Sequence, residues 1–389
     1  MVSRGGLKLS PQSGEAIAHM ALAPRYEGLR RERVEASPRF ANGSFHNTAG
    51  VGPQLQEGSA PVLREFLFGG NRRVPIAPLP SVDPRSSWAR PVETGLRATW
   101  LGHSTVLIEQ DGVRILTDPV WGLRASPSRL LGPRRFQPVP VAIDQLGPVD
   151  LVIVSHDHYD HLDAHSVRAL ARQGLRFCTS LGVGAHLEAF GVPAQQIVEL
   201  DWWESHTFIS ADSRVEFSIT AAPSQHFSGR GPFDRNRTLW SSFVITTERH
   251  RVFFSGDTGL TDEYREIATR LGPFDLVMLE VGAYHPAWGQ IHLGPENALR
   301  ALNLLGGGAL LPIHWGTFNL ALHDWDWPAE MLLEHAPAHR ARLLMPRIGA
   351  AIEPVRVESV EPWWREISVR EIELQPDQRQ PQPRSSSGG

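Results

Sequence analysis

Within Ser155-His156-Asp157-His158-Tyr159-Asp160-His161, three histidines and two aspartates fall in six residues. The segment directly follows the apolar run Leu151–Val154, so it reads as a loop at the end of a buried strand, where a rigid scaffold can aim side chains into a cleft. In locally extended backbone His156 and His158 project to the same side and can reach one ion. Asp160 and His161 fall past the bend and can serve a second ion nearby. Imidazole and carboxylate are ligands that suit Zn²⁺ and its neighbours. The bland alternative, a histidine-rich polar turn, would bury many polar groups without partners. Four residues cannot complete two shells, so further ligands are required. His226 in Pro223-Ser224-Gln225-His226, Asp257 in Ser255-Gly256-Asp257-Thr258-Gly259, and His314 in Pro312-Ile313-His314-Trp315-Gly316 each stand at the end of an apolar run. Singly each could be an ordinary loop residue; their shared position sets them apart from the other histidines.

The elements that must position these residues are mostly strands. Short strand-like runs at 98–101, 105–108 and 113–116 are separated by Gly and Asp turn residues. Leu151–Val154 is continuously apolar, as a strand buried on both faces should be. Similar runs recur at 215–220, 243–246, 252–254, 276–279 and Ala309–Ile313. Helical patterns lie at 164–173, 262–271 and 295–305, the last with proline in its first turn and glycines beyond its end. Strands with interspersed helices suggest sheet packed on sheet with helices outside.

A hydrophobic fraction of 41% and a charged fraction of 21% are those of an ordinary globular protein. A net charge of -4 does not suggest a nucleic-acid binder. The single cysteine, Cys178, excludes an intrachain disulfide and reads as a buried, inert thiol on a short strand. No apolar run is long enough to span a bilayer. The stretch Ala16-Ile17-Ala18-His19-Met20-Ala21-Leu22-Ala23 is too brief for a signal peptide, so the expected compartment is cytoplasmic. Residues 1–61 read as a partly disordered N-terminal extension, 62–372 as one β-rich domain, and 373–389 as a disordered low-complexity tail. Trp202, Trp203, Trp325 and Trp327 read as core, with a membrane interface as the alternative. Arg134, Arg135, Arg230, Arg235 and Arg237 suit either an anionic head group or a solvated face. His103 reads as a packed, hydrogen-bonded histidine beneath the site. His165, His186, His206, His250, His335 and His339 read as solvated.

The HxHxDH motif, followed by single His, Asp and His positions after later strands, resembles the metallo-β-lactamase superfamily. That resemblance implies an α/β fold of αββα type with metals at one edge of the sandwich. It is closer to N-acyl-phosphatidylethanolamine-hydrolysing phospholipase D and its bacterial relatives. The matching segments include Trp100-Leu101-Gly102-His103-Ser104-Thr105, Leu116-Thr117-Asp118-Pro119-Val120, Asp201-Trp202-Trp203-Glu204, Gly256-Asp257-Thr258-Gly259 and Ile313-His314-Trp315-Gly316-Thr317-Phe318. By that similarity His156, His158 and His226 would hold one zinc; Asp160, His161 and His314 would hold another, and Asp257 would bridge them. Tyr159 and His292 match positions that contact substrate. Ser228-Gly229-Arg230 and Trp288-Gly289-Gln290 depart from the family's pattern beside the pocket, which leaves lipid specificity open.

The chemistry that the resemblance implies is hydrolysis of a phosphodiester, that of an N-acylethanolamine phospholipid, by water acidified between two Zn²⁺ ions. Asp257 would orient the nucleophile, Asp160 would shuttle a proton and His292 would bond the phosphate or the leaving oxygen. A lactonase or other ester hydrolase would use the same ions on a carbonyl. A non-catalytic metal-binding module is a third reading. The partners implied are a small-molecule or phospholipid substrate, with peripheral membrane contact as an option. The sequence assigns no oligomeric state.

Overall fold

The computed structural model describes residues 26–49, 70–128, 130–212, 214–285 and 290–367. It opens with helix α1 (Gly28–Ala36) and a small ribbon of β1 (Phe40–Ala41) and β2 (Ser44–Phe45), and a short helix α2 (Arg85–Trp88) follows. The first half then runs β3 (Leu96–Gly102), β4 (Thr105–Gln110), β5 (Val113–Thr117), β6 (Leu151–Val154), α3 (Ala164–Ala171), β7 (Phe177–Ser180), α4 (Gly184–Ala189) and β8 (Ile197–Leu200). The second half runs β9 (Ser205–Ile209), β10 (Glu216–Ala222), β11 (Ser242–Thr246), β12 (Arg251–Phe254), α5 (Glu263–Leu271), β13 (Leu276–Glu280) and α6 (Gly294–Leu304). It closes with β14 (Ala309–Ile313), α7 (Trp327–His339), β15 (Arg342–Leu343) and β16 (Ala351–Ile352).

Two seven-stranded sheets result, ordered β16-β3-β4-β5-β6-β7-β8 and β15-β14-β13-β12-β11-β10-β9. Alternation along β6 shows how they are used. Leu151 and Ile153 join a core that also holds Phe243, Val252 and Leu276 from the other sheet. Val152 and Val154 point the opposite way, into a second cluster with Val167 and Leu170 of α3. A strand covered on both faces must be apolar at every position, which is why this run shows no alternation. Tyr264 and Ile267 of α5, Leu299 and Leu302 of α6 and Leu332 of α7 belong to the larger core. The layering is the expected α/β sandwich, helix–sheet–sheet–helix. Its pairings β5–β6, β12–β13 and β13–β14 are parallel, so these strands end at one edge.

Local chemistry sets the helix ends. Asp163 caps α3, its carboxylate accepting from the backbone N–H of His165 at 3.2 Å and of Ser166 at 3.1 Å. α6 starts one residue earlier than the proline predicts and stops before Gly306 and Gly307, both at positive φ.

Cys178 is buried in β7, and burial pushes its thiol up, as an inert core cysteine requires. Trp202 and Trp325 are buried and Trp203 half-buried, in keeping with core packing; Trp327 is 46% exposed. Several surface assignments are corrected. His186 is buried beside Asp157, with Nε2 3.5 Å from Oδ2. His250 is held by Asp111 at 2.9 Å. Arg135 and Arg230 are buried, because each guanidinium serves main-chain carbonyls instead of solvent.

Residues 26–49 of the N-terminal stretch, where sequence shows no periodicity, are folded. Tyr26, Val34 and Phe45 form a cluster with Leu181, Trp202, Leu239 and Trp240. The tail at 373–389 and the segment Trp288-Gly289 lie outside the described residues. Among the described residues no helix is long and apolar enough to cross a membrane.

Candidate metal centre

The sandwich edge where the parallel strands end collects the chemistry-bearing residues. Asp118 follows β5, His156 follows β6, Asp257 follows β12, Glu280 ends β13 and His314 follows β14. His226 comes from the irregular stretch after β10. The turns are demanding: His103, Asp118, Ala283 and His314 all take positive φ, at 52°, 32°, 53° and 66°. Such conformations cost about 1–2 kcal/mol each in L-residues, and they persist where the surrounding structure over-determines them. Gly256, also at positive φ, is required: a Cβ there would lie 2.7 Å from the Ser155 Cβ.

Two ligand groups face one another across Asp257. In the first, His156 Nε2 and His226 Nε2 lie 2.9 and 3.2 Å from His158 Nδ1, and 3.8 and 3.6 Å from Asp257 Oδ2. In the second, His161 Nε2 and His314 Nε2 lie 3.6 and 3.3 Å from Asp160 Oδ2, and 3.1 and 3.3 Å from Asp257 Oδ1. Ligands about 2.0–2.1 Å from a tetrahedral centre sit roughly 3.3 Å apart, so both sets have the spacing of a metal shell. His161 Nε2 and Asp257 Oδ1 are buried without a hydrogen-bond partner, which is costly unless a cation meets them. The residues therefore fit divalent metal.

The outer nitrogens are fixed so that the inner ones carry lone pairs. His226 Nδ1 donates to the Ile291 carbonyl at 2.9 Å, His314 Nδ1 to Gly282 at 3.3 Å, and His161 Nδ1 to Asp118 Oδ2 at 2.6 Å. The same Asp118 oxygen accepts from Ser155 Oγ at 2.6 Å, and Ser155 Oγ lies 2.9 Å from His156 Nδ1. Asp118 thus supports one imidazole in each group. Burial drives His156 and His226 well below the usual histidine range, leaving them neutral. In the second group burial opposes protonation of His314, but Asp257 and Asp160 raise it to about 10. Burial likewise opposes ionisation of Asp257, yet His161 and His314 hold it well below the ordinary carboxylate range. The carboxylates thus demand positive charge at the inner nitrogens of His161 and His314, which a divalent cation held there would supply.

Every residue singled out as a ligand candidate converges here: His156, His158, Asp160, His161, His226, Asp257 and His314. His292 is close, its ring 5.0 Å from His226, with Nδ1 2.8 Å from Glu280 Oε2. Burial lowers its basicity, but Glu280 more than offsets this and raises it. Tyr159 stands at the rim: its hydroxyl donates to the Arg230 carbonyl at 2.8 Å and the Arg230 guanidinium lies 3.9 Å from its ring. His103 is buried, Nε2 3.0 Å from Asp160 Oδ2, its ring 4.1 Å from His314. Asp118 and Glu280 are the functional residues that the motif reading left without a role. Both are acids at the end of an apolar run, the same signal that marked Asp257.

Two mixed sheets with this cluster at one edge define the metallo-β-lactamase fold. Residues 113–315 match the family described as "Beta-lactamase superfamily domain". An uncharacterized protein of Mycobacterium tuberculosis (strain ATCC 25618 / H37Rv) is 42% identical over 337 residues, 85% of this chain and 88% of that protein. N-acyl-phosphatidylethanolamine-hydrolyzing phospholipase D 1 of Caenorhabditis elegans is 38% identical over 241 residues, 60% of this chain and 67% of that protein. A solved metallo hydrolase of Ignicoccus hospitalis, 24% identical, superposes with a TM-score of 0.50 over 66% of this chain and 97% of its own. The chain belongs to the metallo-β-lactamase superfamily, as a metal-dependent hydrolase.

Proposed function

We propose that the chain is a binuclear zinc phosphodiesterase whose substrate is a phospholipid with an N-acylated ethanolamine head group. The observation that carries the two-ion part is Asp257, whose two carboxylate oxygens face separate ligand groups. His156, His158 and His226 would hold one ion, and Asp160, His161 and His314 the other. When bound, such a pair supplies Lewis acidity and a water acidified toward neutral pH.

The remaining steps belong to side chains. Asp257 orients the attacking water between the two groups. Asp160, braced by His103, takes up its proton. His292, its basicity raised by Glu280, donates to a phosphate oxygen or to the departing alkoxide, the part a general acid plays. Tyr159, held by Arg230, lines the rim with its ring. Because Arg230 is spent on Tyr159 and on main-chain carbonyls, it is not the group that meets phosphate.

The phospholipid part draws on similarity to the Caenorhabditis elegans enzyme and on a hairpin beside the second ligand group. Leu123, Leu130 and Leu131 are 76%, 82% and 72% exposed, and Arg124 bridges Arg134 between them. Arg135 anchors the base by donating to the Val120 carbonyl at 2.6 Å and the Gly122 carbonyl at 3.0 Å. Its guanidinium lies 4.4 Å from the Phe318 ring, which lies 5.2 Å from His103. Exposed leucines flanked by arginine suit a lipid surface better than the largely buried tryptophans do.

The test is hydrolysis by zinc-quantified protein of bis(p-nitrophenyl) phosphate, a lactone and an N-acyl phospholipid, each with and without chelator. Chelator-sensitive cleavage of both phosphodiesters is expected. Cleavage of the lactone alone would make the chain an ester hydrolase, and a metal-loaded protein inert to all three would make it a binding module.

A further inference from the structure

His226 differs from the other candidate ligands in what holds its main chain. Residues 223–229 have no regular secondary structure, so no neighbouring strand satisfies the His226 peptide groups. One side chain does both jobs. Asn47 Nδ2 donates to the His226 carbonyl at 2.8 Å, and Asn47 Oδ1 accepts from the His226 N–H at 3.1 Å. The same oxygen accepts from Trp240 Nε1 at 2.9 Å. The next two residues continue the contact: Thr48 Oγ1 accepts from Gln225 Nε2 at 2.6 Å, and the Ala49 N–H meets Gln225 Oε1 at 3.5 Å.

The segment carrying Asn47 is itself firmly docked. Arg30 pairs with Glu199 at 2.6 Å and Glu188 at 2.9 Å, and Arg33 donates to the Glu199 carbonyl at 2.8 Å. Phe45, fully buried, donates its N–H to the Asn236 carbonyl at 2.7 Å. The amide at position 47 therefore presents a fixed donor–acceptor pair to a loop that lacks one of its own. With the ring held at Nδ1 by Ile291, only the main-chain position is left to set where His226 Nε2 points.

We propose that Asn47 is a positioning residue for the first ligand group, acting as the missing strand partner of His226, so that metal retention there depends on this one side-chain amide. This rests on the reading that His156, His158 and His226 hold an ion. Partners that orient a ligand typically matter about 10- to 100-fold in metal affinity, and a main-chain brace belongs at the lower end, about 10-fold.

The experiment measures zinc retained per chain after equilibration with graded chelator, for the parent, Asn47→Ala, Asn47→Asp and Arg33→Ala. The Co²⁺-loaded visible spectrum and the melting temperature of each metal-free protein are read alongside. Arg33→Ala removes one docking contact of α1 and touches neither Asn47 nor His226. Asn47→Asp keeps the acceptor that meets the His226 N–H and Trp240 Nε1 and turns the donor facing the His226 carbonyl into an oxygen, so it remains informative if Asn47→Ala does not fold. The expected result is one equivalent released from Asn47→Ala at about tenfold less chelator than from the parent, with an altered Co²⁺ spectrum. Asn47→Asp should also release it at less chelator than the parent, and Arg33→Ala should match the parent. Retention in both Asn47 variants equal to the parent's overturns the proposal, as does an equal loss in Arg33→Ala. A parent that never holds an ion at these histidines fails the underlying metal reading instead, and that outcome is seen before any variant is compared.

Discussion

The two ligand groups share Asp257 and differ in what braces the rest. In the second group His161 is bonded directly to Asp118, fully buried after β5, and His314 follows β14 at once. Its supports are strand ends and a buried carboxylate. In the first group His156 reaches Asp118 only through Ser155, and His226 rides on irregular chain tied to an N-terminal segment far away in sequence. Two ligand groups that share one carboxylate thus rest on unequal scaffolding. The lesson is that the metal shell is read from side-chain types, whereas its stiffness is read from where each ligand's main chain finds its hydrogen bonds.

Substitutions can break that comparison at different depths. Asp257→Ala removes the shared oxygen from both groups, and phosphodiester turnover should fall by about 10³-fold or more, with metal lost from both; steady-state kinetics and metal analysis check this. His292→Ala should lower kcat by about 10²-fold while metal content stays at the parent's level, since His292 is assigned to substrate and not to metal. Unchanged turnover would remove it from the mechanism. Asp118→Ala should weaken metal binding about 10- to 100-fold, and chelator titration should release the ion held by His161 first. Release of the His156 ion first would reverse the ranking of the two scaffolds. The smallest effect concerns substrate delivery. Replacing Leu130 and Leu131 with Ser should slow cleavage of vesicle-borne phospholipid about 10-fold, through lost apolar contact with the lipid, and leave a water-soluble diester unaffected.

Much of the fold was legible because burial on both faces writes long apolar runs. β6 coincides with its predicted run for that reason, as does β14. β10 begins one residue later than its run and ends two later, at Ala222. β9 escaped notice because only Phe208 of its five residues is buried, so its sequence resembles loop. α7 was missed because prolines at 328 and 337 fall inside what is a helix of 13 residues. In the site, the ligand candidates could be found because each follows an apolar run, a signal that Asp118 and Glu280 share and that a stricter reading would have used. Asn47 carried no such mark. It sits in polar chain, and its partner is 179 residues away, a pairing only the folded protein creates.

The most direct measurement titrates metal-free protein with Zn²⁺ while following hydrolysis of bis(p-nitrophenyl) phosphate. If Asp257 bridges two ions that act together, turnover should climb to a plateau at two equivalents per chain, with little activity before the second begins to load. A plateau at one equivalent, or a protein that binds two and leaves the phosphodiester intact, would contradict the account.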